Sequence, residues 1–143
     1  MSRWPKFLIG MVAVLAIGAI HHGPLGGGKR FVDALDARAE RRLSVVDLPG
    51  VTARFGREPL SRTATLAGEA NQFQRDGLGS FPGLDERIET IPGAGGIHWA
   101  GEPAPFTLPL IVETLLQLTA AYLVGFLIGR LWFGRRKRTS FLD

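Results

Sequence analysis

Residues 110–133 form a predominantly apolar stretch, Leu-Ile-Val-Glu-Thr-Leu-Leu-Gln-Leu-Thr-Ala-Ala-Tyr-Leu-Val-Gly-Phe-Leu-Ile-Gly-Arg-Leu-Trp-Phe. As a helix rising about 1.5 Å per residue it extends roughly 36 Å, enough to cross the hydrocarbon core of a bilayer with some tilt. Trp132 stands where an interfacial aromatic belonging to such a span stands, and Arg135, Arg136, Lys137 and Arg138 follow directly. Within the span, Glu113, Gln117, Ala121, Gly125 and Gly129 recur at every fourth position, polar at the start and small at the end. Spacing of four places residues along one helix ridge. A ridge of small and polar residues is the pattern of a membrane helix that packs against another protein helix.

The chain carries a net charge of +4 over 143 residues, and the distribution of that charge excludes the simplest reading of it. Between Phe31 and Ala100 there are ten acidic residues against eight arginines, a balance of −2. The other basic residues, Arg3, Lys6, Lys29, Arg30, Arg130 and the run from Arg135 to Arg138, all flank or cap apolar segments. Basic residues so placed are a topology signal, and they argue against a nucleic-acid footprint. Cysteine is absent, which excludes disulfide frameworks, thiolate metal sites and cysteine nucleophiles.

A second apolar run, Phe7 to Ile20, follows Arg3, Trp4, Pro5 and Lys6. Charged-then-apolar also describes a secretory signal, but the run passes into His21-His22 without a polar cleavage region, and residues 1–22 are expected to be a retained transmembrane helix or uncleaved signal anchor. Residues 23–30 read as a glycine-rich linker. Phe31, Leu35, Ala39 and Leu43 share one face of a helix over residues 31–43, with Asp33, Asp36, Glu40 and Arg41 elsewhere on it. Residues 51–57 read as a strand, Glu58-Pro59 as a turn and residues 62–70 as a second strand. A helix interrupted near residues 77–82 is expected over 71–90, and a last strand over 96–100. Pro103, Pro105 and Pro109 make residues 101–109 a stiff approach to the span at 110–134, beyond which 135–143 is a basic tail.

The expected fold class is therefore a small α/β (α+β) extramembrane domain of αββαβ order, flanked by two transmembrane helices. Over residues 31–100 it resembles the BON domain, a small module of bacterial envelope proteins. The resemblance rests on Val51-Thr-Ala-Arg-Phe, on Ala64-Thr-Leu-Ala-Gly-Glu-Ala, on Leu84-Asp-Glu-Arg-Ile-Glu-Thr-Ile-Pro-Gly and on Gly96-Ile-His-Trp. It implies a module that binds membranes or partners without catalysis, and it transfers no functional residue to a position here. The break at Gly77-Leu-Gly-Ser-Phe-Pro departs from that family's continuous second helix.

No catalytic, cofactor-binding or metal-binding residues are expected, and no cofactor. Adjacent histidines cannot share a helix face, so His21-His22 is read as an interface marker. Pro24 to Lys29 lacks the hydroxyl residue of a phosphate loop, because Arg30 stands there. Glu113 is read either as an interfacial carboxylate or as a specific partner contact. The basic clusters at both ends, with Arg3, Trp4, Lys6, Trp132 and Arg135 to Arg138 as anchors, place both termini in the cytoplasm and the central domain in the periplasm.

The function expected from these readings is a non-catalytic accessory or scaffolding subunit of a bacterial inner-membrane complex. Its partners would be other transmembrane subunits and lipids, with no nucleic acid or small-molecule substrate. One candidate assembly is a photosynthetic reaction-centre or light-harvesting complex, in which the chain would be structural, since neither apolar run contains a histidine to ligate a chlorophyll. The alternative is a free-standing BON-type protein that binds lipid or peptidoglycan. A transporter subunit with Glu113 as an ion site is weaker, since two helices do not enclose a pathway.

Overall fold

A computed structural model describes residues 3–46 and 48–133 of the chain. The run from Arg135 to Arg138 lies outside the described residues. The architecture is mixed helix and strand: a small sheet domain flanked in sequence by two long apolar helices, α1 (Arg3–His22) and α5 (Leu110–Phe133). Both are long and apolar enough to cross a membrane.

The two helices run antiparallel side by side. Leu115 and Leu118 lie over Gly18, and the Phe7 ring sits 5.4 Å from Tyr122 and 4.9 Å from Phe126, centroid to centroid. The Tyr122 hydroxyl donates to the Phe7 carbonyl at 2.8 Å, so the polar end of that side chain is satisfied within an otherwise apolar contact.

The expected linker over 23–30 is a correction. Helix α1 runs through both histidines, and α2 (Gly27–Leu43) begins inside the glycine run. The chain reverses at Gly26, whose φ of 67° is a left-handed conformation that favours glycine. Arg30 closes the turn by donating from Nη2 to the Leu25 carbonyl at 2.5 Å. A Cβ on Gly27 would stand 2.6 Å from the His21 carbonyl oxygen, and one on Gly28 would stand 2.5 Å from the His22 ring. These glycines serve close packing of α2 against the end of α1, not flexibility.

The buried stripe of α2 is a second correction. It consists of Gly28, Val32, Leu35, Asp36 and Ala39, while Phe31 is exposed and Leu43 lies at the edge of the core. Asp36, expected away from the apolar face, is only 4% exposed. It is held there by satisfied hydrogen bonds: the Phe55 N–H donates to one oxygen at 2.8 Å, and the Arg57 guanidinium bonds to the other. Arg57 also bonds Asp33, and these carboxylates raise its pKa above the ordinary arginine value. The cluster fixes α2 on the first strand.

The sheet contains β1 (Thr52–Arg57), β2 (Leu60–Ala67) and β5 (Gly96–Trp99) in the order β1-β2-β5, with β1 antiparallel and β5 parallel to β2. The register pairs Ala53 with Leu66 and Phe55 with Ala64, and then Ala64 with Ile97 and Leu66 with Trp99. Period-two alternation therefore gathers Ala53, Phe55, Ala64, Leu66 and Trp99 on one face. That face meets Val32, Leu35 and Ala39 of α2 and Leu84 and Ile88 of α4 (Leu84–Glu89) in the core, which Leu110 of α5 joins. The opposite face is polar, and its Thr65 and His98 hydrogen-bond across the β2–β5 pair at 3.2 Å.

The helix expected over 71–90 with an interruption near 77–82 is two short helices separated at that break. α3 (Gln72–Asp76) is closed by a reciprocal capping box, in which the Gln74 N–H donates to the Asn71 side chain at 2.9 Å and the Asn71 N–H donates to that of Gln74 at 2.8 Å. A two-residue ladder, β3 (Gly77–Leu78) with β4 (Phe81–Pro82), separates it from α4. The Trp99 indole donates to Asp85 at 2.9 Å, the Arg75 guanidinium lies 3.9 Å from the centroid of the same ring, and Arg75 pairs with Glu102 at 2.9 Å. These contacts tie α3, α4 and the start of the proline-rich segment to β5.

Burial pushes the Asp85 carboxyl above its ordinary range, an effect offset in part by the hydrogen bond from Trp99. A carboxyl whose pKa is raised on folding binds its proton more tightly in the folded state. Its contribution therefore falls as pH rises from about 4 through the folded value. Asp85→Asn keeps an acceptor for the indole and removes this titration. The melting temperature of Asp85→Asn, followed by circular dichroism in detergent, should gain on wild type as pH is raised from 4 to 7; a difference that does not change with pH would contradict the assignment.

Candidate functional site

The surface of α5 is sorted by the pitch of the helix. A step of four residues advances about 40° around the axis, so the row from Glu113 to Gly129 turns through about 160°. Its members consequently stand in three environments. Glu113 points to the domain, Gln117, Ala121 and Gly125 are exposed, and Gly129 reaches the edge of the groove shared with α1. A Cβ at Gly125 or Gly129 would meet no atom within 4 Å.

Glu113 accepts a hydrogen bond from Arg62 Nε at 2.6 Å, with the side chains 23% and 33% exposed respectively. Among the described residues this is the one ion pair that joins the domain to either apolar helix. A carboxylate in the first turn of an apolar helix is expensive unless paired. Arg62 supplies the pair because it shares strand parity with Ala64 and Leu66, at the end of β2 nearest α5. Glu113 is thus bonded to a residue of its own chain.

Around this pair is a cleft of ≈ 320 Å³ lined by His21, His22, Arg62, Glu113, Thr114 and Gln117. The end of α1, the start of α2, strand β2 and the first turns of α5 meet here. The histidines, placed beyond the apolar run in the sequence reading, belong to the last turn of α1. No cluster of three or more metal-ligating side chains forms among the described residues.

Of the expected anchors, Trp4 and Trp132 are 72% and 78% exposed, Lys6 is exposed, and the Trp4 ring meets Phe7 edge-on at 6.2 Å. Sequence reasoning missed the residues that join the two helices. Gly10 and Gly18 of α1 are the small residues at that contact: an added Cβ at Gly10 would meet the Tyr122 ring, and Gly18 is covered by Leu118. The available signal was the position of both glycines on the side of α1 that carries Phe7 and Val14. No protein-family profile, curated protein or solved structure matches the chain.

The geometry offers binding and packing surfaces: a salt-bridged junction, a helix pair and an open row of small residues. Replacing Arg62 by Glu, or Glu113 by Arg, should loosen the domain from α5, and the double exchange should restore it. For a partly buried pair, the coupling in a double-mutant cycle on thermal or denaturant unfolding in detergent should be on the order of 1–2 kcal/mol. Additive single effects would show that the pair does not hold the junction.

Proposed function

We propose that this protein is a non-catalytic accessory or scaffolding subunit of a bacterial inner-membrane complex, packing into the assembly through α5 and docking through its extramembrane domain. One observation carries the reading. α1 covers one side of α5 through Leu115, Leu118, Tyr122 and Phe126, and the exposed surface beside it carries Gln117, Ala121 and Gly125. Lipid contact does not require small residues there, whereas close approach of another helix does. A photosynthetic reaction-centre or light-harvesting complex is one assembly in which a small two-helix chain of this kind fills a structural place.

The domain is proposed to be of BON type. Supporting this are the helix preceding a β-hairpin, the further helical segment and the final strand added parallel to β2. The proposed topology puts both termini in the cytoplasm and the domain in the periplasm, from the basic residues at the chain ends. A second reading, a free-standing envelope protein that uses this domain on lipid or peptidoglycan, draws on the exposed Phe73, Leu78 and Phe81 around the β3–β4 ladder. Mild-detergent purification separates the two: a stoichiometric partner supports the subunit, and a lone monodisperse protein supports the alternative.

Gly125→Ile should reduce recovery of partner subunits in a pull-down at equal expression. Ala120→Ile, about 140° around the helix, should not. Equal recovery with Gly125→Ile and wild type would reduce α5 to an anchor. For topology, a membrane-impermeant thiol reagent applied to spheroplasts should label a cysteine at Ser80 and spare one at Ser140; the reverse pattern would invert the orientation.

A further inference from the structure

The helix pair is closely packed at Gly18 and Gly10 but opens toward the other end. Past Tyr122 and Phe126 it leaves a cleft of ≈ 660 Å³ between α1 and α5, within the range of about 300–1,000 Å³ seen for ligand-binding clefts. Its walls are the aromatic rings of Trp4, Phe7, Tyr122 and Phe126, and Gly129, which has no side chain to fill the space, also lines it. Two cations from different helices, Lys6 and Arg130, also line it. There is no acidic residue from Met1 to Val32 or from Thr114 to Leu142, so no neighbouring carboxylate in sequence compensates them. The cleft thus combines an aromatic, aliphatic-compatible lining with two positive charges.

We propose that this cleft binds one anionic phospholipid. An acyl chain lies in the trough against Phe7, Tyr122 and Phe126 and over Gly129, and the headgroup phosphate is held between the Lys6 ammonium and the Arg130 guanidinium. The charges select this occupant. A neutral apolar ligand satisfies the trough and leaves both cations unmatched, and a free phosphate matches the cations and leaves the trough exposed. A phosphodiester on an acyl chain meets both, and basic pockets between membrane helices recognise lipid headgroups in this way. A bound lipid would complete the packing of the helix pair where its own side chains stop touching. The inference does not depend on the subunit reading, because it concerns a site formed within one chain.

The test uses the full chain purified in mild detergent, with native mass spectrometry of adducts formed with defined phosphatidylglycerol or phosphatidylcholine. Wild type should retain one phosphatidylglycerol in strong preference to phosphatidylcholine. Two cations, each giving about a fivefold preference, amount to roughly twenty-fivefold. Lys6→Gln combined with Arg130→Gln should abolish the preference. Gly129→Leu changes no charge and fills the trough, so it should lower phosphatidylglycerol occupancy while circular dichroism remains that of wild type. This variant separates the cleft from binding by the basic residues at the C-terminus. Equal retention of the two lipids by wild type, or wild-type occupancy in Gly129→Leu, would overturn the proposal.

Discussion

The ion pair between Glu113 and Arg62 governs how the two parts of this chain fit together. A carboxylate in the first turn of a 24-residue apolar helix needs a partner, and the nearest cation is supplied from β2. Bringing β2 to the start of α5 also brings Leu110 into the domain core, alongside Leu66, Trp99 and Ile88. The entry to the helix is thus both salt-bridged and packed. The end of α1 approaches the same place, and Gly27 and Gly28 let α2 start directly against His21 and His22. The domain therefore sits on the helix pair through several elements meeting around one charge pair.

Pairing of the helices leaves most of their surface uncovered. Val12, Ile17, Leu116 and Leu127 are each more than half exposed, although apolar helices of this length in a water-soluble protein are core elements. Such surface suits an apolar environment, a bilayer or a partner protein. The division of labour between small residues is informative. Gly10 and Gly18 let α1 approach the aromatic and leucine side of α5, and Gly125 leaves a place where an approaching helix meets no side chain. The chain has used the first two internally, and the third is the basis for proposing an external partner.

Much of this was legible in the sequence. The apolar run 110–133 became a helix with those bounds, and the alternation in Val51 to Phe55 and around Leu66 gave the hairpin. Three features were not legible, each because a tertiary contact overrode a local signal. Glycines at 26–28 look like a linker by composition, but their lack of Cβ serves a tight reversal and close packing on histidine rings. Asp36 looks like a residue off the apolar face until Phe55 N–H and Arg57 arrive from a strand nineteen or more positions away. The row from Glu113 to Gly129 looks like one face only when drift around the helix is neglected; over sixteen residues that drift separates its ends into different environments.

The domain and the helix pair form one unit, fixed at the Arg62–Glu113 junction. The absence of native cysteine makes a direct distance measurement clean. Spin labels at Ser80 in the domain and Ala120 on the outer side of α5, in the full chain reconstituted in nanodiscs, report the separation by pulsed electron resonance. The structure requires a single narrow distance distribution that broadens when Glu113→Gln is introduced. A broad distribution in the native sequence, unaffected by Glu113→Gln, would mean that the domain moves freely on its tether and that the junction does not organise the molecule.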